Sequence, residues 1–161
     1  MSIQIAGYSI SNKSAVSGKG IVFLDKRVDS VSAGTFKVWL KVHFDPAADN
    51  YPLGEVNIEM DMFDSVKGRM TSTSIVQVNS HGKYTPTAII SGRCRIEPEG
   101  ESEKDIKGCR FWLLIANNRL QQGEVPDVVS FGVYNRAGDM VAYGTGPVRD
   151  GDLEVQDGLA V

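Results

Sequence analysis

The chain has little of what usually carries chemistry. Its 161 residues include only two histidines and two cysteines. Histidine is the side chain that titrates unaided near neutral pH, so candidate bases are few. No serine or cysteine stands in a nucleophile-elbow setting, and no glycine-rich loop has the spacing that cradles phosphates. Two cysteines and two distant histidines lack the ligand spacing of a zinc site. There is no basic excess either. The 17 Lys and Arg stand against 20 Asp and Glu, a net charge of −3, which argues against a nucleic-acid partner. No apolar run reaches the length of a membrane helix. The opening residues, Met-Ser-Ile-Gln-Ile-Ala-Gly-Tyr, have neither the positive start nor the apolar core of a secretory signal. They suit a cytoplasmic protein, or one whose signal has been replaced by an initiator Met. Low-complexity segments and internal repeats are missing. The 17 glycines and 6 prolines are scattered as turn punctuation. One domain is the simplest reading of this length.

What is present is alternation. In residues 34–44, Phe36, Val38, Leu40, Val42 and Phe44 point one way, and Lys37, Trp39, Lys41 and His43 the other. Side chains of period 2 line the two faces of a half-buried strand. The same beat marks strands at 2–10, 20–24, 55–63, 70–79, 84–97, 107–116, 128–134, 140–143 and 153–155. Residues 11–18 read as a polar turn, 45–52 as a loop whose prolines cannot donate to a ladder, and 118–123 as the one helical turn. Strands this short, joined by polar turns, predict an all-β, antiparallel, jelly-roll-like β-sandwich of about ten strands, with a closed β-barrel as the alternative. Residues 1–161 form a single domain in this reading. Within it, residues 1–17 are a strand and turn that pair in place or exchange with a neighbour. Phe36, Val38, Leu40, Val42, Val56, Ile58 and Met60 are expected in one core.

The candidate site residues have plain alternatives. Cys94 and Cys109 face each other if 90–97 and 106–113 form a hairpin centred on Glu101 and Ser102. A directly opposed pair then lies within disulfide range, and closing a loop of about 15 residues is worth roughly 3 kcal/mol in the chain-entropy model. The other reading is two buried thiols. His43 lies on an outward face and His81 in a turn, both as solvated residues. Glu59 and Asp61 have the spacing of a carboxylate pair, but read better as a charge ladder opposite Lys37, Trp39 and Lys41. Asp45, Asp49 and Asn50 offer oxygens to calcium without the dense register of a dedicated loop. Trp39, between Lys37 and Lys41, is a candidate platform for carbohydrate or a protein partner. Trp112 and Leu114 also point away from their strand's apolar face.

The second half carries a resemblance. Ile90-Ser-Gly-Arg-Cys-Arg-Ile, a polar turn and Cys109-Arg-Phe-Trp-Leu-Leu-Ile are followed by Asp127, Phe131, Asn135, Gly138, Tyr143, Gly146 and Gly151-Asp-Leu-Glu-Val. Upstream stand Gly18-Lys-Gly, Gly34-Thr-Phe and Ser72-Thr-Ser-Ile. Over most of residues 18–155 this resembles the small β domain that follows choice-of-anchor regions in secreted bacterial and archaeal surface proteins. The resemblance implies an all-β, non-catalytic extracellular module in which paired cysteines also occur. The expectation is therefore a non-enzymatic structural or adhesion module of the extracellular space or cell surface. Its expected partner is itself, as a homo-oligomer, or another surface protein. No cofactor, nucleic acid or membrane span is expected. A carbohydrate- or small-ligand-binding β-sandwich or barrel, and a cytoplasmic location, are the alternatives.

Overall fold

In the barrel strands the alternating apolar set turns to one interior. Phe36, Val38, Leu40 and Val42 are buried there, opposite Met60, Ile58, Val56 and Gly54. The computed structural model describes residues 2–5, 8–24, 33–45, 51–63, 65–100, 104–118 and 125–160. Its strands are β1 (Ser2–Ile5), β2 (Tyr8–Asn12), β3 (Ala15–Leu24), β4 (Gly34–Asp45), β5 (Tyr51–Met62), β6 (Gly68–His81), β7 (Thr87–Pro98), β8 (Ile106–Ala116), β9 (Val128–Tyr134), β10 (Met140–Gln156) and β11 (Leu159–Ala160).

Strands β3 to β10 form a closed barrel in which each pairs antiparallel with the next and β10 returns to β3. Strands β1, β2 and β11 form a separate three-stranded sheet. The fold is thus an eight-stranded barrel, not the jelly-roll-like sandwich of about ten short strands. The physical reason lies in β10. Residues 140–143 and 153–155 read as two strands because the residues between them are small and polar. They are one strand of 17 residues. Its first part pairs with β9, from Met140↔Tyr134 to Pro147↔Val128. Its second part pairs with β3, from Val148↔Val22 to Gln156↔Ala15, with a bulge around Arg149. Side-chain alternation marks the face that each residue takes. It is silent on which distant strand meets which edge. The polar stretch at 11–18 also departs from the expected turn, because residues 15–18 open β3 against β10. Residues 119–124, which cover most of the expected helical turn, lie outside the described residues.

A barrel of this strand number is just wide enough for side chains to fill or for one small ligand, and here buried side chains occupy it. Phe36 and Phe131 meet edge to face at its middle, with ring centroids 4.8 Å apart and planes at 70°. Gly144 leaves room for them, since a Cβ there would lie 2.9 Å from both rings. Ile58, Met62, Met70, Ile90, Leu113 and Ile115 complete the filling.

One barrel end is tied off by buried polar groups. Ser80 N donates to Ser14 Oγ at 2.8 Å, and Ser80 Oγ donates to the Gln156 carbonyl. Gly158 N donates to the Ser80 carbonyl at 2.8 Å, and Lys13 N to the Gly158 carbonyl at 2.9 Å. Asn117 Nδ2 donates to the Leu153 carbonyl at 3.0 Å. These bonds join the chain leaving β2, the end of β6 and the chain entering β11. Buried backbone groups need such partners, so the knot sets where the small sheet's connections leave the barrel.

Candidate functional site

With the interior filled, the outward residues carry whatever recognition the barrel performs. On β4, β5 and β6 the outward row is Lys37, Trp39, Glu59 and Arg69. Lys37 stands opposite Glu59, and Glu59 opposite Arg69. Arg69 bonds Glu59 at 2.9 Å and holds its guanidinium 5.4 Å from the Trp39 ring centroid. Lys37 Nζ lies 5.7 Å from the same ring. Trp39 is half-buried and carries two cations, which takes up the aromatic surface that a sugar would need. Lys41 faces Glu55 rather than Glu59 or Asp61. Asp61 stands opposite Thr35 and pairs with Lys67 at 3.4 Å. The ladder reading of Glu59 therefore holds, while that of Asp61 moves to a different cation.

His43 is half-buried on β4, paired with Ala15 and Leu53, and His81 closes β6 in an exposed position. They are brought to neither each other nor a nucleophile. Asp45 closes β4, while Asp49 and Asn50 lie outside the described residues. Among the described residues no three His, Cys, Asp or Glu side chains gather as a metal site.

Cys94 and Cys109 are directly opposed, as the hairpin register requires. The expected disulfide is nevertheless absent, and both thiols are free and buried. Cys109 Sγ donates to the Ile106 carbonyl at 3.6 Å instead. Burial pushes the Cys94 thiol from 9.0 up to about 12, with the neighbouring Cys109 adding to the rise. Burial raises Cys109 as well. A thiol is oxidised or alkylated through its thiolate, so this pair sits in its unreactive form.

Directly outside the thiols lies a different kind of patch. The register that opposes Cys94 to Cys109 also opposes Arg93 to Arg110, and Arg110 is opposed on its other side by Tyr134. Arg136 joins them from the turn between β9 and β10. That turn is held by Asn135 N to the Asp139 carbonyl at 2.8 Å, Gly138 N to the Asn135 carbonyl at 3.0 Å, and Asp139 N to Asn135 Oδ1 at 2.9 Å. The Arg136 guanidinium folds back over Gly108. A Cβ on Gly108 would lie 2.7 Å from Arg136 Nε, and the backbone there has φ 73°, which favours glycine. The groove so formed measures about 590 Å³. A smaller one, of about 310 Å³, opens by Lys83, Asn117 and Asp157.

Of the residues lining this groove, the sequence marks Cys109 as a thiol and Asn135 and Gly138 for the resemblance, but not Arg93, Arg110, Arg136 or Tyr134 as site residues. The signal was nonetheless present. Arg93 and Arg110 each adjoin a cysteine, so any register that opposes the cysteines opposes the arginines. On the same face Trp112 lies over Gly132, where a Cβ would be 2.6 Å from its indole nitrogen. That close packing half-covers an outward tryptophan from within its own sheet. No family model, no curated protein and no solved structure matches the chain.

Proposed function

We propose that the protein is a non-enzymatic module, structural or adhesive, that works through the outside of its barrel. The observation that carries this reading is the filled interior, where Phe36, Phe131 and their neighbours occupy the space a ligand-carrying barrel leaves open. The residues of 18–155 that resemble a surface-protein β domain point the same way. Titration with an apolar fluorescent probe tests the reading. Saturable binding that Phe131→Trp abolishes would place a ligand inside the barrel and reject an outward-working module.

Self-association is the natural form for such a module. In the small sheet β1 pairs with β2, and β2 with β11, so the other side of β1 is an edge among the described residues. Residues 2–10 contain no charge and no proline, the usual edge protection. Strand addition to a second copy supplies backbone bonds at that edge. Light scattering on the parent and on a chain lacking residues 1–10 tests this. An assembled parent and a monomeric deletion are expected, and a monomeric parent would end the idea.

A further inference from the structure

We infer that the groove of Arg93, Arg110, Arg136 and Tyr134 is a binding site for a phosphate or sulfate ester of about the size of one sugar. The groove is built from β7, β8, β9 and the turn after β9, and includes no residue of the β1 edge.

Charge is the first ground. Arg93 and Arg110 are direct cross-strand partners. Like charges in that position, with Cβ atoms about 5 Å apart, destabilise a sheet. Nearby, the barrel neutralises such cations. Arg95, two residues along the same face of β7, pairs with Glu97 at 3.0 Å and with Asp105 at 3.8 Å. Among the described residues no carboxylate pairs in this way with Arg93, Arg110 or Arg136.

Construction is the second ground. Arg136 is exposed, yet its guanidinium lies over Gly108. Gly108 opens the space that admits it, and three hydrogen bonds hold the turn that carries it. A sheet gains nothing in stability from bringing another cation beside an opposed pair. The arrangement makes sense when an anion occupies the centre.

Shape supplies the ligand class. Guanidinium groups present planar donor forks that match the oxygens of a tetrahedral oxyanion two at a time. Three such forks suit an anion with three terminal oxygens better than a carboxylate with two. The volume of about 590 Å³ exceeds what a bare ion fills, and falls in the range of small-molecule sites. Tyr134 is half-buried and brings a ring and a hydroxyl to the row beside Arg110, surfaces on which a sugar ring packs and bonds. Phosphate and sulfate monoesters share this chemistry.

The test is an NMR titration of the arginine Nε–H signals at constant ionic strength. The probes are inorganic phosphate, inorganic sulfate, glucose 6-phosphate and glucose 6-sulfate. Saturable shifts with at least one ester are expected. The tighter ester identifies the source of the oxyanion. Arg110→Gln and Arg136→Gln should each weaken binding about tenfold, the loss that one charge-assisted hydrogen bond implies. Arg110→Lys keeps the charge without the fork and should also weaken it. Arg95→Gln, outside the groove, should leave it within about twofold, as a screened surface charge does. Absence of saturation with both esters overturns the assignment, including the case where only an inorganic ion binds. Equal binding by the parent and Arg110→Gln overturns it too.

Discussion

Two patches on the outside of one barrel treat the same kind of residue in opposite ways. On β4–β6, Lys37 and Arg69 flank Trp39, and Glu59 stands between them as a counter-charge. On β7–β9, Arg93 and Arg110 oppose each other, Tyr134 follows, and Arg136 is added from a turn. The interiors beneath differ as well. Val38 and Leu40 lie under the first patch, the free thiols of Cys94 and Cys109 under the second. In the first patch Lys37 stands opposite Glu59 and beside the Trp39 ring, and Arg69 bonds Glu59. In the second, among the described residues, no carboxylate pairs with the arginines, and the proposed anion would supply the missing counter-charge. A wet sheet face with many charges is therefore no guide to function. The informative observation is the place where the charges are left unmatched.

The comparison assumes that both patches rest on one interior, and the largest predicted effect tests that. Phe131→Ala should lower unfolding free energy by about 3–5 kcal/mol, the range for buried aromatic truncation. Urea unfolding followed by Trp39 and Trp112 fluorescence should show one transition. Two separate transitions in the single-tryptophan variants would mean that the patches belong to independently built units.

Next in size is the polar knot, which lies under neither patch. Ser14→Ala removes the oxygen that accepts from Ser80 N and leaves a buried donor unsatisfied. The expected cost is about 1–3 kcal/mol in urea unfolding, with both patches unchanged in their charge properties. A cost near zero would mean that the barrel end relaxes freely around that donor.

Alkaline pH separates the two undersides. Cys94 titrates near 12 in the fold and near its ordinary 9.0 when unfolded. A raised acid holds its proton more tightly in the folded state, so its contribution is complete below about pH 9 and is lost as pH rises toward 12. The melting temperature of the parent should fall across that window more steeply than that of Cys94→Ala. Parallel curves would show that the thiols are not desolvated. In the native state both thiols should react slowly with a maleimide at pH 7, and unfolding should expose them.

The smallest effect is the sharpest, because it has opposite signs on the two patches. Arg69→Gln loses a pairing with Glu59 and a contact with Trp39, and should destabilise by about 0.5–1 kcal/mol. Arg110→Gln removes a like-charge contact with Arg93, and should stabilise by about 0.2–1 kcal/mol without added anion. Raising sodium chloride should shrink both changes, since exposed charges are screened. The same sign for both would erase the distinction between the patches.

Much of this is legible in the order of the residues. The alternation assigns Phe36, Val38, Leu40 and Val42 inward and Lys37 and Trp39 outward, as observed. The symmetry of residues 90–97 and 106–113 about 101 and 102 sets the register of Cys94 against Cys109. What it does not reveal is whether two facing thiols bond. That depends on side-chain rotation and on burial, and neither appears in spacing.

Local order in this chain was determined by the sequence itself, because face and hairpin register depend on neighbours a few residues apart. Period 2 needs only the pleat of a single strand. Barrel closure was decided by tertiary structure alone. It requires β10 to bend and pair with β3, a partner at the other end of the barrel strands, and no local pattern encodes that distance. The arginine groove lies between these cases. Its Arg93–Arg110 pair follows from register, whereas Arg136 arrives only when β8, β9 and their following turn are folded together over Gly108. A charge cluster assembled from three elements becomes visible once their packing fixes which cations must share one space.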